Sequence, residues 1–183
     1  MPYTVQKNTV YILLTRSETC FSRLIHFATA DDYTHVSIGL DGPCGAFYSF
    51  ARKHPRLALP AGLVEERVCC GFFSRHPGLP CRLYALSVTA ETYRRLRRRL
   101  NHMYAHREKY RYNLLGALAC FFHMPLVRRD HYFCSQFVAG LLAESGALIL
   151  AKPPALVRPG DFCRLDQLRP VHQGVIGSLP TAV

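Results

Sequence analysis

Short β-prone runs dominate the first half of the chain. Residues 10–14 form the first run, and residues 36–40 alternate in polarity so that His35 falls on the polar face of a strand. A turn signal at 41–43 separates this strand from its predicted returning partner at 46–50. Further strands are predicted at residues 63–68, 82–88 and 168–176, the last with Val171 and Val175 turned inward.

Helical periodicity replaces this alternation in the second half of the chain. Thr89 is a suitable N-cap for a helix that extends to about Lys109. The apolar residues of this segment recur at helical spacing, whereas the arginines between positions 94 and 99 fall mainly on the other faces. The sequence therefore predicts a helix with one solvated, strongly basic side.

Two more apolar segments follow this helix. Residues 114–127 predict a buried helix, because the run contains Pro125 and is shorter than the roughly 20 residues that span a bilayer. Residues 134–144 predict another helix, which Gly146 ends as its C′ residue. An earlier helix is predicted at residues 20–29, where apolar residues also recur at helical spacing.

The order of these elements, mostly strands and then mostly helices, favours an α+β domain over a doubly wound parallel sheet. The chain has 183 residues, of which 49% are hydrophobic. This is the size and apolar content of one ordinary domain, so we expect a single domain over residues 1–183.

Charge and cysteine content narrow the possible functions. Much of the net charge of +11 lies in the arginine run, which lacks the aromatic interleaving of RNA-binding surfaces. We therefore expect no nucleic-acid partner, while a peripheral membrane contact stays open.

The eight cysteines form no CxxC pair and no zinc-type spacing, so we expect no metal and no cofactor. The first residues lack the apolar segment of a secretory signal, which predicts a cytoplasmic protein with reduced thiols.

Cys134 is the strongest candidate for chemistry. It lies at the start of a predicted helix, where unpaired backbone N–H groups and the helix dipole favour a thiolate. A cysteine nucleophile needs an imidazole that takes the thiol proton and later protonates the leaving group. His35, on the polar face of its strand, suits this role. His131 is an alternative base, but from the same helix entry it would have to fold back over the thiol.

Three segments resemble a known superfamily: residues 34–41 (THVSIGLD), 48–50 (YSF) and 132–138 (YFCSQFV). They are similar to the circularly permuted NlpC-type papain-like proteins of the YiiX-like branch, in which the histidine strand precedes the cysteine helix. The last segment also resembles the cysteine helix of lecithin retinol acyltransferase relatives. The resemblance implies a papain-like α+β fold, with a small antiparallel sheet or barrel packed against the cysteine helix. It also implies thiol acyl chemistry, with Cys134 as nucleophile and His35 as base.

The third catalytic residue is left open by this resemblance. The matching position falls near Ser49, where relatives often have a carboxylate; a serine hydroxyl would orient the imidazole but stabilise imidazolium less. Glu65 is an alternative, and so is a dyad with no third residue. Tyr33, two residues before His35, is a candidate for contributing a hydroxyl to the substrate cleft, with a plain rim aromatic as the competing interpretation.

These residues predict a thiol hydrolase, a cysteine peptidase or amidase that forms an acyl-enzyme on Cys134. One alternative is a lipid acyl hydrolase or acyltransferase with the same Cys-His pair, which the apolar run 114–127 and the basic helix would bring to an anionic membrane. A second alternative is a non-enzymatic basic binding module. The expected substrate is a peptide, an amide or a lipid acyl group, and the sequence does not decide among them.

Overall fold

The computed structural model describes residues 7–16, 32–52 and 61–180. Within these ranges the protein is an α+β fold in which an antiparallel sheet is accompanied by several helices. The helix predicted at 20–29 lies outside the described residues.

A six-stranded antiparallel sheet forms the centre of the fold. Strand β1 is paired along its whole length with β5, in a register that joins Lys7 to Thr89 and Thr15 to Cys81. The order across the sheet is β4-β3-β2-β1-β5-β8, and β6 and β7 form a separate parallel pair. The strands are β1 (Lys7–Thr15), β2 (His35–Gly39), β3 (Ala46–Arg52), β4 (Ala61–Arg67), β5 (Pro80–Thr89), β6 (Arg111–Tyr112), β7 (His131–Tyr132) and β8 (Arg169–Val175).

In the described part of the chain, four α-helices accompany the sheet: α1 (Gly71–Arg75), α2 (Ala90–Ala105), α3 (Leu114–Phe121) and α4 (Cys134–Glu144). The predicted cap of α2 is confirmed, because the Thr89 hydroxyl accepts a hydrogen bond from the Thr92 amide at 3.2 Å. The helix ends at Ala105, however, four residues before the predicted limit. Gly146, with φ of 75°, follows α4 in the left-handed conformation expected of a C′ residue.

The central strand β1 buries side chains on both faces of the sheet, which explains its nearly continuous apolar run. Ile12 and Leu14 belong to the larger core, which also contains Phe137 and Val138 of α4. Leu13, between them, belongs to a second core that includes Phe47. The helix carrying Cys134 is thus fixed against one face of the sheet by fully desolvated side chains, each of which stabilises the fold by about 1.5–3 kcal/mol.

Two burial predictions are wrong. The segment 114–127 is not a buried helix: α3 spans only eight residues, and Leu115 is 57% exposed. In β8, Val171 packs against the second core as predicted, but Val175 is 37% exposed. The pairing of β8 with β5 is irregular between Leu83 and Tyr84, and such an irregularity interrupts the alternation of inward and outward side chains.

Candidate active site

Cys134 is the first residue of α4, as the sequence predicts. The preceding residue, Phe133, has extended backbone angles and forms the N-cap. The amides in the first turn of a helix have no intrahelical acceptor, so they point toward the space in front of the thiol. Cys134 is only 6% exposed, and α4 packs against β2 and β3.

His35 begins β2 and lies next to a carboxylate. Its imidazole is also near enough to the Cys134 side chain for that side chain to raise the pKa of His35. Its Nε2 atom lies 3.1 Å from each carboxylate oxygen of Glu66, which leaves Nδ1 as the ring nitrogen available to the sulfur. The side chains of His35 and Glu66 are 14% and 15% exposed, respectively, so water screens their interaction poorly.

This environment favours the protonated imidazole. Burial alone lowers the pKa of His35, but the Glu66 carboxylate and the nearby Cys134 side chain outweigh it, and the pKa stands well above its ordinary value. A protonated imidazole beside a cysteine is the charge arrangement that thiol nucleophiles use. The three side chains therefore form an arrangement suited to thiol chemistry.

The side chain next to the His35 imidazole is that of Glu66, and not that of Ser49 or Glu65. The Ser49 hydroxyl donates a 2.6 Å hydrogen bond to the Val36 carbonyl oxygen inside the sheet, so it satisfies a backbone acceptor. Glu65 accepts a hydrogen bond from Arg67 Nε at 2.6 Å. Neighbouring residues of a strand point to opposite faces, so only one of the two adjacent glutamates can share a face with the imidazole.

Two other sequence candidates interact with different groups. Tyr33 is a member of the larger core and is 9% exposed; its pKa is raised by burial and by the nearby Cys163. It is therefore a core residue, neither a cleft hydroxyl nor a rim aromatic. The Nδ1 atom of His131 lies 2.7 Å from the carbonyl oxygen of Arg129, a local contact that occupies this ring nitrogen at the helix entry.

Two cavities border the pair. A small one, of about 50 Å³, is lined by Cys134 together with Thr34, Tyr112, Ala117, Cys120, Phe121, Phe133, Ser135, Arg158 and Pro159. A larger cleft, of about 610 Å³, is bordered by His35 and Glu66 and also by Arg67, Arg75 and Tyr104. The Cys134–His35 pair consequently lies between a small, largely apolar cavity and a larger cleft lined by both polar and apolar groups.

Sequence reasoning missed two residues next to the thiol. Tyr112 lines the small cavity, and its pKa is strongly raised, first by burial and then by the adjacent Cys134. Ser135 is 1% exposed, and its hydroxyl has no hydrogen-bond partner among the described residues. Ser135 could have been noticed as the direct neighbour of Cys134, whereas Tyr112 lies in a two-residue strand without any periodic signal.

No group of three or more His, Cys, Asp or Glu side chains in the described ranges is arranged to hold a metal ion. Over the same ranges, no helix is long and apolar enough to cross a membrane.

A scan against protein-family models found no matching family, and searches of curated proteins and of solved structures found no similar protein.

Proposed function

We propose that the protein is a thiol hydrolase of the cysteine peptidase or amidase type, with Cys134 as nucleophile, His35 as acid and base, and Glu66 as the orienting carboxylate. One observation carries the proposal: the His35 Nε2 atom lies 3.1 Å from the Glu66 carboxylate, while the Cys134 side chain at the start of α4 is close enough to affect the same imidazole. A cysteine, a histidine and a carboxylate grouped in this way are the side chains that enzymes forming acyl-enzymes use as nucleophile, base and orienting group.

In the proposed reaction the Cys134 sulfur attacks the substrate carbonyl carbon. The oxyanion accepts hydrogen bonds from backbone amides in the first turn of α4, where no intrahelical acceptor competes. The C–N bond then breaks as imidazolium His35 protonates the departing amine. In the second half, water attacks the thioester carbonyl carbon while neutral His35 takes its proton. The C–S bond then breaks, which releases the carboxylic acid and restores the Cys134–His35 pair. The Glu66 carboxylate orients the ring and stabilises the imidazolium.

The arrangement of elements supports the resemblance to permuted papain-like proteins. A cysteine at the start of α4 packs over an antiparallel sheet, and the histidine strand β2 comes earlier in the chain. A carboxylate beside the imidazole, as many relatives have, is supplied by Glu66, one strand beyond the position that matches by sequence. We propose the papain-like assignment on these grounds.

An electrophilic probe tests the proposal directly. A peptidyl vinyl sulfone should modify Cys134 once per molecule, as located by mass spectrometry, and both Cys134→Ala and His35→Ala should abolish that adduct. General acid–base groups typically contribute about 10²–10⁴-fold to such reactions. The exposed Cys69 and Cys70 serve as internal controls for unassisted thiol reactivity. Modification of these two at the same rate as Cys134, with no effect of His35→Ala, would refute the proposal.

A lipid acyl substrate is the second candidate, because the cavity at Cys134 has an apolar wall. Ala117, Cys120 and Phe121, all from α3, line it next to the thiol. An acyl chain would gain about 0.8 kcal/mol for each methylene buried there. p-Nitrophenyl esters of increasing chain length distinguish the candidates: rising kcat/KM from acetyl to hexanoyl supports the lipid substrate, and a flat or falling series together with peptide cleavage supports the amidase.

The non-enzymatic basic module receives less support. In the arginine run of α2, Arg95 pairs with Glu91, Arg97 with Asp41 and Arg99 with Glu144. Arginines already paired with carboxylates offer less positive charge to a phosphate backbone. The ion pairs therefore favour the solvated helix face that the sequence predicts.

A further inference from the structure

A cluster of exposed apolar side chains occupies α3 and the loop after it. Leu115 is 57% exposed, Phe122 67% and Val127 73%. We call the cluster the apolar patch; its members are Leu114, Leu115, Leu118, Phe122, Met124, Leu126 and Val127. Elsewhere in the described part of the chain, the only large hydrophobic side chains of comparable exposure are Ile149 and Val175. Contiguous apolar exposure of this kind marks an interaction surface.

The apolar patch is held in a defined shape. The buried side chain of Asn113 caps α3 by accepting a 3.0 Å hydrogen bond from the Gly116 amide, and it donates a 3.1 Å hydrogen bond to the Leu126 carbonyl oxygen. The Met124 amide also bonds back to the Ala119 carbonyl oxygen at 2.9 Å. One buried amide thus joins both ends of the segment, so its apolar side chains are presented as one surface.

The charges around the apolar patch are positive. Arg128 and Arg129 follow it directly, and the Arg129 side chain is 95% exposed although its Nε atom lies 3.7 Å from the Asp130 carboxylate. Arg111, just before α3, is exposed as well. Between Glu108 and Asp130 the chain contains no acidic residue. An apolar surface that contains no carboxylate of its own and is bordered by three arginines, one of them paired with Asp130, complements an anionic lipid surface, where headgroups attract arginine and the acyl boundary accepts leucine and phenylalanine.

We propose that the apolar patch docks the protein onto an anionic lipid bilayer. Helix α3, with eight residues, is about 12 Å long and so lies in the interface without spanning the membrane. Its other side lines the Cys134 cavity through Ala117 and Phe121. Docking therefore brings that cavity to the lipid headgroups. The binding itself does not depend on the proposed thiol chemistry, so it is measured on the Cys134→Ala variant.

Vesicle flotation tests the docking. Cys134→Ala protein should float with vesicles of phosphatidylglycerol and phosphatidylcholine at low salt, and raising the salt should weaken binding. The double variant Leu115→Glu, Phe122→Glu should lose at least about tenfold in affinity, because two charges enter the apolar contact. Arg129→Glu should lose about fivefold or more. Ile149→Glu is the matched control, since it puts the same charge on a 93% exposed apolar side chain outside the segment, and it should bind normally.

The milder double variant Leu115→Ser, Phe122→Ser keeps the test informative if the glutamates impair folding, which circular dichroism reports. No flotation of the folded Cys134→Ala protein would overturn the proposal. Binding to pure phosphatidylcholine vesicles as tight as to the anionic vesicles would overturn the proposed role of charge. A loss of affinity with Ile149→Glu equal to that of the double variant would overturn the assignment of the binding surface to the apolar patch. Concentration-dependent dimerisation that the Ser variant abolishes, without any flotation, would assign the apolar patch to a second copy of this chain.

Discussion

Replacing Glu66 with Gln removes a charge from the imidazole while keeping an oxygen that can accept its hydrogen bond. At a separation of 3.1 Å, the gross attraction is about 5 kcal/mol for an effective dielectric constant of ~20. Part of this offsets the cost of removing both groups from water. Breaking such pairs costs about 3–5 kcal/mol when they are buried, and the residual exposure here places the expected loss near 3 kcal/mol.

The pH dependence of that loss follows from the raised pKa of His35. The Glu66 carboxylate raises this pKa against the opposing effect of burial, and the nearby Cys134 side chain raises it further. A group whose folded pKa is raised stabilises the protein fully below its unfolded pKa, about 6.5 for histidine, and this stabilisation is lost as the pH rises through the folded value. The difference in stability between wild type and Glu66→Gln should therefore be largest near pH 6 and should shrink toward pH 10.

Urea unfolding followed by circular dichroism at several pH values measures this difference. Glu65→Gln is the matched control: the same change one residue earlier breaks a pair with Arg67, whose side chain is 57% exposed, and should cost at most about 1 kcal/mol. Equal losses for the two variants, or a Glu66→Gln loss that is the same at pH 6 and pH 10, would refute the ion pair between His35 and Glu66.

Three further substitutions separate structure from chemistry. Ser49→Ala removes the hydroxyl donor from the buried Val36 carbonyl oxygen, so the unfolding free energy should fall by about 1–3 kcal/mol. The rate of Cys134 alkylation by iodoacetamide should not change. A large drop in that rate would show that Ser49 takes part in the chemistry of the site. Thr89→Ala removes the cap of α2 and should cost about 1 kcal/mol in urea unfolding, whereas no change would mean that the cap bond is compensated. Phe137→Ala empties a site that is 2% exposed and should lower the unfolding free energy by about 3–5 kcal/mol; a loss below 1 kcal/mol would contradict its place in the core.

The strands and the cysteine helix could be predicted because their signals are local. The alternation at 36–40, the cap at Thr89 and the glycine after α4 each fix a backbone conformation within a few residues. The same local signal placed Cys134 in the first turn of its helix, which is where the structure has it.

Segment 114–127 shows where local signals mislead. Hydrophobicity alone predicts burial, since it records the transfer preference of each side chain and not whether another element covers it. In the structure only Gly116 and Cys120 of α3 are buried, and the outward leucines are left uncovered within the described residues. A functional surface and a core segment have the same composition, so only the tertiary structure distinguishes them.

By itself, the sequence determined the α+β class, the strand at His35, the helix that begins at Cys134 and the order in which they occur. Only the tertiary structure decided which carboxylate faces the imidazole. Glu65 and Glu66 are chemically identical, and their roles differ because a strand turns successive side chains to opposite faces. That choice depends on the pairing of β3 with β4, which joins Phe47 to Glu66 and Tyr48 to Glu65. Register is set by packing across the whole sheet and has no signature in the two residues themselves.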